Sequence, residues 1–365
     1  MACHAGGMTK PAITLFKGRG AVSNVPGRFE ARQSEAFDDG WDQGEEPPRA
    51  LETLIAIEAA RSIISYNESP DIGFDRSLNT YRGCEHGCIY CYARPNHAYV
   101  GLSPGLDFER RLFVKADAAK LLERELAAPN YQPQVIMLGG VTDCYQPEER
   151  TRRVTRAVLE VLAKTQHPLA ITTKSALVLR DLDLLAPMAQ KGLARVAISL
   201  TTLDPVLARK MEPRAAAPHR RLEAITGLAK AGVQVTAMMA PIIPALNDHE
   251  IESLLEAAAK AGADSASFVL LRLPMEIHAL FVEWLEAHFP DRAGKVMSLM
   301  RQMRGGKAYD SRWNHRQRGD GPYADLIGLR FRRACQLLGL NTPRLPMDCS
   351  QFRRPIPMGG QLPLL

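Results

Sequence analysis

The sequence of 365 residues has no run approaching the roughly 18 consecutive apolar residues that a membrane span needs, which excludes a transmembrane helix. Its first ten residues show no apolar stretch behind a basic start, so no secretory signal is expected and the chain is read as cytoplasmic. The seven cysteines are an odd set in a long chain of this kind, which argues against a disulfide framework. No internal repeat or low-complexity block stands out. A dominant charge of one sign is also missing: the net charge of +6 permits an anionic partner without demanding one. The bias is stronger locally, because residues 291–333 hold 11 Lys/Arg against 4 Asp. That stretch reads either as a solvated helical surface or as a seat for phosphates, DNA or RNA included.

What is present is alternation. Residues 1–55 are rich in Gly and Pro, carry an acidic stretch at 35–46, and read as a poorly ordered arm. From residue 60 to 275, short β-branched or apolar runs near 78–81, 135–139, 169–173, 195–201, 233–240 and 266–271 alternate with amphipathic segments. The clearest of these segments are 151–165, 182–191, 220–231 and 249–261. Gly192, Gly232 and Gly262 stand where helices should stop, and Asn247 and Asp248 where the last should start. Strands alternating with helices imply parallel strands joined by crossovers. Six such units make either an open doubly wound sheet or a partial barrel, and in both, ligands bind at the carboxyl ends of the strands. Residues 276–340 read as a helical appendage and 341–365 as an extended tail.

Cys84, Cys88 and Cys91 fall within eight residues as C-x3-C-x2-C, with Tyr90 immediately before the third. Three thiolates on one tight loop hold three irons of a cubane cluster and leave the fourth open. Gly83 and Gly87 suit a loop wrapped closely around such a group. The competing reading is zinc, with His86 or His97 completing four ligands. The other cysteines, Cys3, Cys144, Cys335 and Cys349, are scattered, and the last two make a poor second metal site.

The motif C-x3-C-x-aromatic-C resembles the signature of the radical S-adenosylmethionine (SAM) superfamily. The resemblance narrows with Cys88-Ile-Tyr90-Cys91-Tyr92, Val141-Thr142-Asp143, Ile171-Thr-Thr-Lys174-Ser175 and Ile198-Ser199-Leu200, which look like the branch related to spore photoproduct lyase, often labelled DNA repair photolyase. Within it, the chain is similar to a bacterial group marked by T-D-x-Y-Q-P-x-E (142–149), P-I-I-P-x-L-N-D (241–248), L-R-L-P (271–274) and R-G-G-K (304–307). The resemblance spans roughly residues 60–335. It implies an α/β fold, a partial (β/α)6 radical SAM barrel with the cluster loop after the first strand, and two cofactors, a [4Fe-4S] cluster and SAM. It also implies an electron donor of flavodoxin or ferredoxin type. The implied chemistry is reductive cleavage of SAM to a 5′-deoxyadenosyl radical that abstracts hydrogen from a substrate.

Carried over by position, the resemblance offers Tyr90, Tyr92, Gly139, Gly140, Thr142, Lys174 and Ser199 as SAM-binding candidates. Where relatives place Gly-Gly-Glu after the second strand, this chain has Gly139-Gly140-Val141, so Thr142 or a backbone carbonyl must receive the SAM amino group. Lys174 is expected to pair with the SAM carboxylate, and Ser199 to donate to ribose or carboxylate. Each has a plainer reading as turn, ion pair or packed hydroxyl. Asp143 either touches a ligand or caps the following helix. Arg272 either meets an anion or closes an ion pair. Arg304, Lys307, Tyr309, Arg316 and Tyr323 mix cations and aromatics in a Gly-rich stretch that reads as a surface loop or a phosphate grip. Spore photoproduct lyase uses a cysteine as hydrogen-atom donor just before its T-S-D stretch. In register, Gly140 takes that place, leaving Cys144 as a weak catalytic candidate and putting dimer reversal in doubt. Three classes of function follow: a radical SAM enzyme on nucleic acid, one on a protein or small metabolite, and a non-catalytic iron–sulfur or zinc binding protein.

Overall fold

The computed structural model describes residues 15–30 and 51–356. Among the described residues ten strands are formed: β1 (Leu54–Ile57), β2 (Ile64–Tyr66), β3 (Arg76–Leu78), β4 (Tyr81–Arg82), β5 (Arg111–Val114), β6 (Ile136–Leu138), β7 (Leu169–Thr173), β8 (Ala194–Ser199), β9 (Gln234–Ile242) and β10 (Ser265–Leu270). The main sheet runs β10-β9-β8-β7-β6-β3-β2. All its pairs are parallel except the edge pair β2–β3. A doubly wound sheet reverses its order at a switch point. Here the order from β3 to β10 never reverses, so each right-handed crossover steps the same way and the helices collect on one side. This is the winding of a partial barrel with six parallel strands, and it resolves the alternative that periodicity left open.

Burial alternates along the strands, as a period of two requires. In β7 the residues Leu169, Ile171 and Thr173 are buried, while Ala170 and Thr172 are partly open. The same pattern runs through β8 and β9. The closed positions pack against the helices. The half-open face carries Met137, Thr172 and Met238, whose side chains meet, with Thr172 Oγ1 3.6 Å from Met137 Sδ and 4.0 Å from Met238 Sδ. Lys174 and Ser199 are in phase with this inner face, at the carboxyl ends of their strands.

The glycine stops hold: Gly192, Gly232 and Gly262 have φ of +71°, +79° and +104° where the preceding helices end. Asn247 does not cap its helix. Its amide instead accepts from Ile243 N at 2.6 Å and donates to Thr201 O and Pro241 O, tying two loops together. Beyond β10 the helices Ile277–His288, Pro290–Gln302 and Pro322–Leu337 form, each of the last two opened by proline. Phe331 of the last helix packs against Phe268 of β10 with the rings tilted and their centroids 4.7 Å apart, so this region is joined to the barrel by core contact.

Residues 15–30 and 341–356 are packed more closely than their composition implies. Residues 15–30, counted with the arm, pack into the body: Ala21 is 1% exposed, and Arg19 and Val22 are buried. Residues 51–55 lead into β1, which pairs with β5. The remainder of that arm, and residues 357–365, lie outside the described residues. Residues 341–356 run beneath the amino ends of the strands, irregular except for a 3-10 turn at Cys349–Gln351. Asn341 Oδ1 accepts from Ala266 N at 2.8 Å, Asp348 N donates to Gly192 O at 3.4 Å, and Arg353 N donates to Thr165 O at 2.7 Å.

Candidate functional site

The short strand β4 delivers the chain into the cysteine loop, beside the carboxyl ends of the parallel strands. Cys84 and Cys88 are buried and Cys91 half-buried, and all three are free thiols. The loop turns through left-handed glycines, Gly83 at φ +75° and Gly87 at φ +66°. A Cβ at Gly83 would meet Leu112 Cδ2 at 2.7 Å, and one at Gly87 would meet Glu109 Oε2 at 2.8 Å, so both positions need glycine for space as well as backbone. Cys84 N donates to Phe108 O at 3.0 Å and Ile89 N to Met211 O at 3.0 Å, anchoring the loop at both ends.

Burial pushes the Cys84 thiol well up, with Asp143 and the other two cysteines adding to it. Cys88 is raised by burial too, against the pull of the Lys174 ammonium. Thiols that resist ionisation need a metal's charge to become thiolates. Among the described residues no group of three or more His, Cys, Asp or Glu converges to hold a single metal ion. A cubane takes one thiolate per iron and does not require that convergence. Three free thiols on one glycine-turned loop fit its donor set.

The loop is held by residues that carry no mark in the sequence. Arg94, fully buried, donates Nε to Cys88 O at 2.9 Å, Nη1 to Pro104 O and Gly105 O at 3.1 and 3.0 Å, and Nη2 to Gly87 O at 3.2 Å. Its Nη2 also pairs with Glu109, equally buried. Glu109 in turn accepts from Gly20 N and Ala21 N, both at 2.8 Å. Gly20 lies so close that a Cβ would meet Gly87 O at 1.9 Å. On the other side, Glu212 accepts from the Tyr90 hydroxyl, from Thr201 Oγ1 at 3.1 Å, and from Arg221. No local signal could have found these residues, because buried Arg and Glu look like surface residues in a sequence.

The proposed SAM-binding residues occupy one end of the barrel. Gly139 ends β6 at φ +79°, where a Cβ would strike Thr172 O at 2.2 Å; Gly140 has open space, its nearest contact being 3.6 Å. Thr142 is buried and donates its hydroxyl to Tyr81 O at 2.8 Å, leaving only its lone pairs for a ligand. The Lys174 ammonium lies 5.8 Å from the Tyr90 ring centroid. No carboxylate lies within 4.0 Å of it among the described residues. Ser199 is buried, its hydroxyl 3.4 Å from Ala240 O. Tyr92 is half exposed, donates its hydroxyl to Gly140 O, and carries the Arg272 guanidinium over its ring at 5.4 Å.

Asp143 does not cap the helix that follows. Its Oδ1 accepts from Thr173 Oγ1 at 2.7 Å and Tyr145 N at 2.9 Å; its Oδ2 accepts from Lys174 N at 2.8 Å and lies 3.3 Å from His86 Nδ1. Burial opposes its charge, but His86 and these donors win and hold its carboxyl far below the usual range. It therefore ties the cysteine loop to the end of β7. Cys144 is 1% exposed, 3.5 Å from where a Gly139 Cβ would be, and burial pushes its thiol well up. His97 is buried, with Nε2 3.0 Å from Arg111 O. In the appendage, Arg316 pairs with Asp71, the Tyr323 hydroxyl donates to Asp248, and Arg304 gives two of its donors to carbonyls while its Nε has no acceptor.

Comparison with known proteins agrees with this geometry. Residues 78–258 match the model of the radical SAM superfamily. An uncharacterized protein of Mycobacterium tuberculosis is 36% identical over 231 residues, covering 63% of this chain and 68% of the relative. One from Methanocaldococcus jannaschii is 29% identical over 197 residues, covering 54% and 70%. Among solved structures, spore photoproduct lyase complexed with dinucleoside spore photoproduct superposes with a TM-score of 0.54 at 17% identity, covering 78% of this chain and 80% of that one. Fold and site thus define an enzyme of radical chemistry. The chain belongs to the radical SAM superfamily, and its barrel shares the fold of spore photoproduct lyase.

Proposed function

We propose that this protein holds a [4Fe-4S] cluster on Cys84, Cys88 and Cys91 and uses it to cleave SAM reductively. The observation that carries this reading is the cysteine loop at the strand ends with the uncompensated Lys174 ammonium close by. Held by Cys84, Cys88 and Cys91, such a cluster would supply the one electron that reductive cleavage of the SAM C5′–S bond requires. Lys174 pairs with the SAM carboxylate. The lone pairs of Thr142 and the backbone at Gly139 receive its ammonium. Tyr90 and Tyr92 offer flat faces to the adenosyl group, and Ser199 a hydroxyl. The inner face of Met137, Thr172 and Met238 gives the radical few polar neighbours, which limits side reactions. Cys144, buried beside Gly139, is a candidate for a radical or thiolate role.

The hydrogen donor is a substrate at the barrel mouth. Nucleic acid is one class: Arg292, Lys295, Arg301, Lys307, Arg318, Arg332 and Arg333 remain exposed on the helical region, a surface suited to phosphates. A peptide or small metabolite is the other, needing no role for that surface. A reductant of flavodoxin or ferredoxin type supplies the electron. The deciding experiment is 5′-deoxyadenosine formation by anaerobically reconstituted protein with SAM and dithionite, beside a variant with the three cysteines replaced by Ala. Product from the first alone establishes the reading. A single zinc and no iron, where a cubane brings about four irons, overturns it. Loss of oligonucleotide binding with rising salt separates the nucleic-acid class from the other.

A further inference from the structure

Two fully buried arginines beside the cysteine loop, Arg94 and Arg221, spend their donors. Arg94 serves four carbonyls and Glu109, and Arg221 serves Ala216 O, Ser199 O and Glu212. Two arginines beyond the end of β10 do not. Arg272 has a buried Nε with no acceptor, and its Nη2 has only the Tyr309 hydroxyl at 3.5 Å. No carboxylate lies within 4.0 Å of it among the described residues. Arg304, 2% exposed, gives Nη1 to His315 O at 2.6 Å and Nη2 to Leu271 O at 2.9 Å, but its Nε is likewise buried without an acceptor.

The bond to Leu271 O sets the Arg304 guanidinium beside the residue preceding Arg272. The two charges feel each other: burial first, and Arg272 second, lower the proton affinity of Arg304. The two nearby acids are already engaged, Asp310 with Arg312 at 2.6 Å and Asp320 with Arg312 at 3.3 Å and His315 Nδ1 at 2.6 Å. Two neighbouring guanidiniums with unused donors and no counter-ion are costly in a half-buried place. An oxyanion removes that cost, because it accepts several charge-assisted hydrogen bonds at once. The loop after Arg304 leaves room for one. Gly305 and Gly306 have φ of +60° and +85°, a Cβ at either would meet nothing within 4 Å, and Lys307 is exposed beside them. Arg272 also lies over Tyr92, the neighbour of Cys91, so this spot borders the cluster loop.

We propose that Arg272 and Arg304, with Tyr309 and Lys307, form a subsite for an oxyanion of the substrate, a phosphate or a carboxylate. Its place in catalysis rests on the radical SAM reading; the binding of the anion does not. The test is thermal unfolding of the full-length, cluster-free protein with inorganic phosphate or with acetate, at ionic strength matched by sodium chloride. A ligand that binds the folded form at tenfold over its Kd stabilises by about 1.4 kcal/mol. The melting temperature of the wild type rises with phosphate for a phosphorylated substrate, or with acetate alone for a carboxylate. The rise is absent in Arg272→Gln and partly restored in Arg272→Lys. The exposed Lys307→Ala, chosen in case Arg272→Gln does not fold, weakens the anion about threefold. No rise with either anion, or an equal rise in Arg272→Gln, overturns the proposal. So does a tenfold loss of SAM affinity in Arg272→Gln, which would make Arg272 part of the SAM site. Failure of the radical SAM reading would show separately, as absence of iron and of 5′-deoxyadenosine.

Discussion

Replacing Arg94 with Met tests whether the cysteine loop is fixed by a buried ion pair. Arg94 and Glu109 are both wholly buried and face each other. Removing one partner of such a pair leaves an uncompensated charge and costs about 3–5 kcal/mol. Glu109 would keep only Gly20 N and Ala21 N, while the carbonyls of Gly87, Cys88, Pro104 and Gly105 would lose a donor. Urea unfolding of the cluster-free chain, followed by far-UV circular dichroism, should therefore show a loss of about 3–5 kcal/mol. Adding Glu109→Leu removes the stranded charge and should return roughly 1–2 kcal/mol. Recovery stays partial because Gly20 N and Ala21 N are then left without their acceptor. The comparison variant is Leu285→Ala, a fully buried site on the helix Ile277–His288 that costs about 2–5 kcal/mol by cavity formation. After reconstitution, Arg94→Met should retain less iron per chain than this equally destabilised variant. A loss under about 1 kcal/mol would refute the ion-pair account. Equal iron in the two variants would refute the positioning of the loop by Arg94.

Other outcomes follow from the same geometry. Lys174→Gln should weaken SAM at least tenfold, about 1.4 kcal/mol, in equilibrium dialysis, with iron content unchanged; equal affinity would remove Lys174 from the site. Gly139→Ala should lower the melting temperature sharply, because its Cβ would meet Thr172 O at 2.2 Å, whereas Gly140→Ala, with 3.6 Å of room, should be tolerated. His97 and His167, both buried, are pushed down from 6.5 to about 4, burial being the main cause. The unfolded chain then binds protons below 6.5 that the folded one refuses. Their contribution is present above pH 6.5 and is lost as pH falls towards 4, by at most about 3 kcal/mol each. Stability measured across that window should fall on acidification, less so in His167→Phe, and a flat profile would contradict the burial argument.

The relation of sequence to structure is clearest where each residue found its partner. The cysteine spacing, the glycine helix stops and the strand–helix alternation are local: each is set by a few neighbouring residues and a fixed backbone period. They are enough to give the α/β class, the six parallel units and the cysteine loop. Asp143 shows where that reading ends. Between a ligand and a cap, local chemistry had no preference, and the actual role came from Thr173, Lys174 and His86, which only the fold brings together. Arg304 and Arg316 likewise read as surface cations until their partners, Leu271 O and Asp71, were in place.

The sequence by itself determined the chemistry that this chain carries, three thiols on a glycine-turned loop within a run of βα units. Tertiary structure alone decided that residues 15–30 brace the loop through Glu109 and that Arg94 is an internal tie. The physical reason is the same in both cases. A buried charge is stable only opposite its partner, and partners such as Gly20 and Glu109, 89 residues apart, are neighbours only once the chain has folded.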